Sequence, residues 1–392
     1  MKDVYYDVVV AGHICLDISP AFPTERYAEV EKILAPGKIV NLNGVTISGG
    51  GLVANTGFAF KKLGVRIKPL ANIGDDLFGK ALNEIVYDNC GEKISYNKKI
   101  TTSYSVVLSI PGLDRIILHD PAGNNVFSSA DICYDTVEKA KVFHFGYPSL
   151  MNKIFDNGGE ELISIYQKAK HTGAATSLDM ALPDPSSKAG KADWRSIIAK
   201  ALPYVDIFLP SIEEALYMLD RQEYKRVKST AGAGDFVDFV DLSVLPRLGQ
   251  KIIDMGTSVA VIKCGSKGMY VKTAGQERLD LGTLKLDKQI WAKKEIFEES
   301  YRVKSFVSAL AAGDTTIAGF LTAMIKGMDI YDAAKIACKT GALCCETYDA
   351  VSGLQSFDAI ANMIKREHLK NPLKNAPGSY KYNNDKKTWD IV

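Results

Sequence analysis

Apolar positions along this chain follow two periods that take turns. Short apolar runs of strand length alternate with longer stretches in which apolar residues recur three and four apart. The runs 7–11, 66–73, 142–146, 174–179 and 205–209 predict strands. The stretches 52–63 (ended by Gly64), 77–89, 160–171 (ended by Gly173), 194–202 and 212–219 predict helices. Residues 259–264 and 268–272 read as a hairpin pair around Gly265, and three helices over 314–326, 330–346 and 357–367 complete the core. Such alternation implies an α/β fold, a mostly parallel sheet with helices on both faces.

Two regions break the rhythm. Residues 39–47 alternate like a strand, and 101–110 with 115–119 read as a hairpin around 111–114. These strands belong to no βαβ repeat, so a small β-sheet lid is expected within about 13–48 and 100–127. The lid and core together make one domain over 1–370, with insertions at about 221–241 and 278–302. The tail 371–392 is polar, rich in Lys, Asn and Tyr, and reads as a surface strap or a disordered segment.

Charge narrows the choice of partners. Lys and Arg number 48 against 46 acids, a net +2. A general phosphate-backbone binder needs an excess of basic charge, so no nucleic-acid partner is expected. The seven cysteines are scattered, with no C-x-x-C and no zinc spacing, which fits a reducing, cytoplasmic setting. Residues 306–325 are apolar enough to suggest a membrane span. They carry Asp314 near the middle, which costs about 2.5–3.5 kcal/mol on insertion, so a buried helix and no membrane partner are expected. The N-terminal apolar run 8–11 is too short for a signal peptide.

No P-loop pattern occurs. The segment Gly49-Gly50-Gly51-Leu52-Val53-Ala54 satisfies G-x-G-x-x-A, but it follows a lid-type strand and its nearest acid, Asp75, comes late for a dinucleotide site. Adjacent glycines at a strand-to-helix turn admit a ligand to the backbone. Asn55, one turn further, carries an amide that donates and accepts, which suits vicinal hydroxyls, while its plain reading is a solvent-facing polar residue. Asp17 follows the first strand, at the sheet end where α/β ligands bind. Ala311-Ala312-Gly313-Asp314 opens a helix whose first peptide N–H groups suit an anion.

The order of these segments resembles the ribokinase-like (PfkB-type) carbohydrate kinases. Gly50–Asn55, Leu63-Gly64 and Asn72–Gly79 are similar to the N-terminal signature, and Ala311–Leu321 to the C-terminal one. Between them lie Ser177-Leu178-Asp179, Pro210–Ala215 and Ile262–Gly268 in the family's order, so the resemblance covers about 5–367. It implies ATP-dependent phosphoryl transfer to a hydroxyl of a sugar or sugar-like molecule. Asp314 would be the general base, and Ala311, Ala312 and Gly313 the anion hole. Asp17, Gly50, Gly51 and Asn55 would hold the acceptor. Lys263, Gly265 and Gly268 would border the nucleotide, and Glu214 would act on Mg²⁺. A monovalent cation and a homodimer formed through the lid fit the same resemblance.

The chain also departs from the family pattern. Ser211 stands for Asn, Ser308 for Asp, Ala311 for Gly and Lys263 for Thr; Pro183 stands where many sugar kinases place Arg. A nucleoside kinase and a non-catalytic sugar- or nucleotide-binding homologue therefore stand beside the sugar kinase as readings. The phrase Thr230–Asp235 matches G-A-G-D better than 311–314 does, but it precedes Gly265 and no small-residue helix follows it. Asp235 is expected in a surface insertion.

Overall fold

The computed structural model describes residues 4–392 except 24, 26, 28, 114, 115, 233, 367 and 368. Among the described residues, ten strands form the main sheet. From one edge their order is Tyr380–Asn383, Thr388–Ile391, Glu295–Glu299, Gly268–Thr273, Val259–Lys263, Ile207–Phe208, Ala175–Asp179, Ala140–Gly146, Tyr6–Gly12 and Ile67–Leu70. Pairing is parallel from Val259–Lys263 to the Ile67–Leu70 edge and antiparallel on the other side. A strand buried on both faces must be apolar at every position. Tyr6–Gly12 meets that demand from Val8 onward, and its one charged residue, Asp7, lies at the less buried start beside Arg66 and Lys141. Val8 and Val10 enter one core with Phe60, Ile317 and Phe320, while Val9 and Ala11 enter the other with Phe143, Tyr166 and Ile197.

A second sheet stands off this core. Its strands run in the order Val45–Gly50, Cys15–Pro20, Tyr104–Leu108, Ile116–Asp120. Register sorts its residues by face, because side chains alternate along each strand. Ile47, Ile18, Val106 and Leu118 form one apolar row, and Ser48, Asp17, Ser105 and His119 form a polar row on the opposite face.

Several expectations shift. The strand expected at 39–47 begins only at Val45, after Gly44 at φ +126°. The run 66–73 divides into Ile67–Leu70 and Ile73–Gly74. The helix expected at 160–171 starts at Asn152 and is interrupted at 156–159, where Asp156 turns extended and three residues adopt positive φ. The segment 221–241 forms the helix Arg221–Ala231 and a short turn Phe236–Phe239.

The charged run 278–302, expected as an insertion, supplies Glu295–Glu299 to the main sheet. The tail expected as a strap adds two strands there. Polar composition hid both. In Thr388–Ile391 only Thr388 is fully buried, and the strand is held by pairing Phe297 with Trp389 and Ile296 with Asp390. Glu298, fully buried, meets Lys370 at 2.6 Å and accepts from the Thr388 hydroxyl. Residue 367 of the last expected helix, 114 and 115 of the lid hairpin, and 233 of the second G-A-G-D phrase lie outside the described residues.

Candidate active site

The strands Tyr6–Gly12, Ala140–Gly146 and Ala175–Asp179 run parallel, and their carboxyl ends meet the N-termini of two helices, Gly51–Lys62 and Ala312–Ile325. The turn into Gly51–Lys62 depends on its glycines. Gly51 has φ +80°, and a Cβ on Gly50 would lie 2.1 Å from the Asp17 carboxylate. Only glycine lets that acid rest against the backbone. Asp17 also accepts from the Cys15 thiol at 3.2 Å. Its carboxyl is held above the ordinary range, chiefly by burial.

Ala311 precedes Ala312–Ile325 in a left-handed conformation (φ +59°), and no side chain caps the turn. Its first N–H groups and helix dipole therefore face the site without a protein anion. Asp314 sits in this first turn, 3% exposed. Asn55 Nδ2 donates to its Oδ2 (3.0 Å) and Thr56 Oγ1 to its Oδ1 (3.1 Å). The Tyr147 hydroxyl donates to both oxygens, at 2.9 and 2.8 Å. Burial, and then the charge of Asp179, push the Asp314 carboxyl up to about 6, although the Tyr147 and Asn55 donors and the Lys263 charge pull it down.

Lys263 occupies the adjoining wall. Its ammonium meets Asp179 at 2.6 Å, both side chains nearly buried. It also abuts the helix start: a Cβ on Gly313 would lie 3.8 Å from Nζ. Burial opposes its charge, yet Asp179, Glu214 and Asp314 together hold it above the usual lysine range. Glu214 caps its own helix reciprocally with Ser211: Ser211 N donates to Oε2 at 2.6 Å, and Glu214 N donates to Ser211 Oγ. Ser211 thus serves the capping box in the place where the family pattern has Asn. Burial raises the Glu214 carboxyl, and Lys263 counters it.

Gly265 and Gly268 bound the tight turn between Val259–Lys263 and Gly268–Thr273. The Phe236–Phe239 turn leans on it: Lys267 Nζ donates to the carbonyls of Asp238 and Val240. Asp235 is exposed and caps that turn through Val237 N at 3.1 Å, so it stands apart from the Asp314 cluster.

The structure thus gathers Asn55, Lys263, Glu214, Gly313 and Asp314, and separately Asp17 with Gly50 and Gly51. Sequence reasoning missed Tyr147, Thr56 and the role of Asp179, and it missed His13 and His119. Tyr147 directly follows one predicted strand and Asp179 ends another, at the ligand-binding edge of the sheet, a position that could have marked them. His13 Nε2 lies 3.2 Å from His119 Nε2 of the lid, and its ring centroid is 6.0 Å from that of Tyr147.

Among the described residues no three His, Cys, Asp or Glu side chains converge on a metal. One half-buried carboxylate such as Glu214 fits Mg²⁺, which keeps much of its water and is held largely by phosphates. No helix among the described residues is long and apolar enough to cross a membrane.

The family model for pfkB family carbohydrate kinases matches residues 8–356. Fructokinase-2 of Solanum lycopersicum is 23% identical over 369 residues, covering 91% of this chain and 96% of that protein. The structure of Arabidopsis thaliana ribokinase complexed with ribose and ATP superposes with a TM-score of 0.67 at 18% identity, over 92% of this chain and 99% of that one. A putative ribokinase II from E. coli in complex with ATP and Mg²⁺ gives 0.66 at 18% identity, over 92% and 100%.

Proposed function

Because the chain belongs to the pfkB family of carbohydrate kinases, and is thereby an ATP-dependent phosphotransferase, we propose that it moves the γ-phosphoryl group of ATP to a hydroxyl of a sugar. The observation that carries this reading is Asp314: a buried carboxylate in the first turn of an uncapped helix, with its proton affinity raised toward neutrality. General bases work best with a pKa near the working pH. Asp314 takes the proton of the attacking hydroxyl, while Ala311, Ala312 and Gly313 receive the charge of the transferring phosphoryl group.

Asp17, Gly50 and Gly51 hold the acceptor on the lid side, and the Asn55 amide orients the base. Gly265 and Gly268 border the nucleotide and Lys263 balances charge beside it. Glu214 would hold Mg²⁺ through water, and bound Mg²⁺ would neutralise phosphate charge. The polar lid row, Ser48–Asp17–Ser105–His119, faces the site and excludes water on closure. The apolar row on the other face carries Ile47 and Leu118, about half exposed, and we read it as a homodimer contact.

A screen of sugars and nucleosides with ATP, reading ADP release and acceptor phosphorylation, tests the assignment. Transfer to a sugar is expected. Transfer to nucleosides alone would replace the sugar by a nucleoside, and tight ligand binding without turnover would make the chain a binding protein.

A further inference from the structure

The Asp314 carboxylate is saturated. Each of its oxygens takes two hydrogen-bond contacts, Oδ1 from Thr56 and Tyr147 and Oδ2 from Asn55 and Tyr147. Three donor protons, the Tyr147 proton shared between both oxygens, thus cover the four lone-pair sites a carboxylate offers. A base about to accept a proton from an incoming hydroxyl must first lose one of these contacts.

Tyr147 is the contact built to yield. Asn55 and Thr56 are neighbours in one buried helix, fixed by its backbone. Tyr147 shares a single proton between two oxygens. It sits in the loop after Ala140–Gly146 and is only half-buried. Its backbone has φ +62° and ψ +40°, the left-handed region that a bulky residue occupies at a cost. Burial, and then the charge of Asp314, hold its phenol well above the ordinary value, so it donates at any working pH.

We infer that the Tyr147 hydroxyl holds the place of the acceptor hydroxyl on Asp314 and so makes the enzyme select a carbohydrate over water. The inference rests on Asp314 being the base. In productive transfer, the acceptor oxygen forms a bond to the γ-phosphorus, the bond to the ADP oxygen breaks, and the acceptor proton passes to Asp314. Water in the same place would yield ADP and inorganic phosphate. A sugar anchored elsewhere by Asp17 and the glycine turn brings binding energy to displace the phenol; a lone water molecule brings almost none.

The test compares wild type with Tyr147→Phe and Tyr147→Leu, each checked for folding by thermal unfolding. ADP release is measured without sugar, then with D-fructose or D-ribose as probe. Both variants are expected to hydrolyse ATP without sugar about tenfold faster than wild type, the scale of one lost hydrogen bond to a charged group. The acid limb of the Tyr147→Phe pH profile is also expected to move upward, since Asp314 loses a donor that favours its charged form. Unchanged or slower hydrolysis in the folded variants, or an unmoved acid limb, overturns the inference. Failure of wild type to phosphorylate any sugar would instead defeat the functional reading and leave the hydrolysis comparison to stand by itself.

Discussion

The Lys263 ammonium lies 2.6 Å from the Asp179 carboxylate, in a wall where Asp179, Glu214 and Asp314 all feel its charge. Removing one partner of a buried pair strands the other. Lys263→Met is therefore expected to destabilise the protein by about 3–5 kcal/mol, and adding Asp179→Asn to recover part of that loss. Chemical denaturation of the two single variants and the double variant measures the coupling. Additive losses would mean that the pair is not a unit.

Asp314→Asn is expected to keep the fold and lower kcat by about 10²–10⁴-fold. Asp235→Asn, on the exposed turn, is expected to leave kcat unchanged. Steady-state kinetics of the two variants decides between the two G-A-G-D phrases, and the reverse pattern would move the site to Asp235.

The rate should fall at acid pH with a midpoint near 6, because the base must be ionised and the Asp314 carboxyl is pushed up to about 6. Asn55→Ala removes a donor to the charged form, so its limb should lie higher than that of wild type. The same shift acts on stability in the opposite sense. Folded Asp314 prefers its proton, so its contribution is complete below its ordinary value of 3.8 and gone above about 6. A kcat profile flat from pH 5 to 8 would remove Asp314 as the base.

Gly50→Ala places a methyl group 2.1 Å from the present Asp17 oxygen. Asp17 must swing away, so KM for the acceptor should rise by about tenfold or more, the scale of one hydrogen bond to a charged group. KM for ATP should hold. An unchanged acceptor KM would take Asp17 out of the acceptor site.

Ile47→Glu with Leu118→Glu places charge in the apolar lid row. Analytical ultracentrifugation is expected to find a dimer in wild type and a monomer in the double variant. A wild-type monomer would end that reading.

The parts of this molecule legible in the sequence were those fixed by local rules. The helix Gly51–Lys62 announces itself by its glycines and its apolar spacing, and the strand Ala140–Gly146 by a largely apolar run that only Lys141 and His144 interrupt. Asp314 could be found because the small residues 311–313 just before it mark the start of a helix, although the side chains it meets come from distant segments. Tyr147 was harder to find, since it reaches Asp314 across 167 positions and only its place just after a predicted strand marks it. The Ser48–Asp17–Ser105–His119 row likewise exists only once three strand registers are set. The two final strands escaped notice because backbone pairing and the contacts of Glu298, rather than an apolar run, hold them.

Those final strands also determine how the main sheet ends. An open edge offers its unpaired peptide groups to any other extended chain. Here one border is Ile67–Leu70, where Pro69 has no N–H to give and Lys68 adds charge. The other is Tyr380–Asn383, short, with Lys381 in it. Without that last hairpin the border would be Glu295–Glu299, flanked by its buried Phe297 and Ile296. Residues that look like decoration on the enzyme thus guard it against sticking to its own copies, and their loss would show first as aggregation on the bench rather than as a slower reaction.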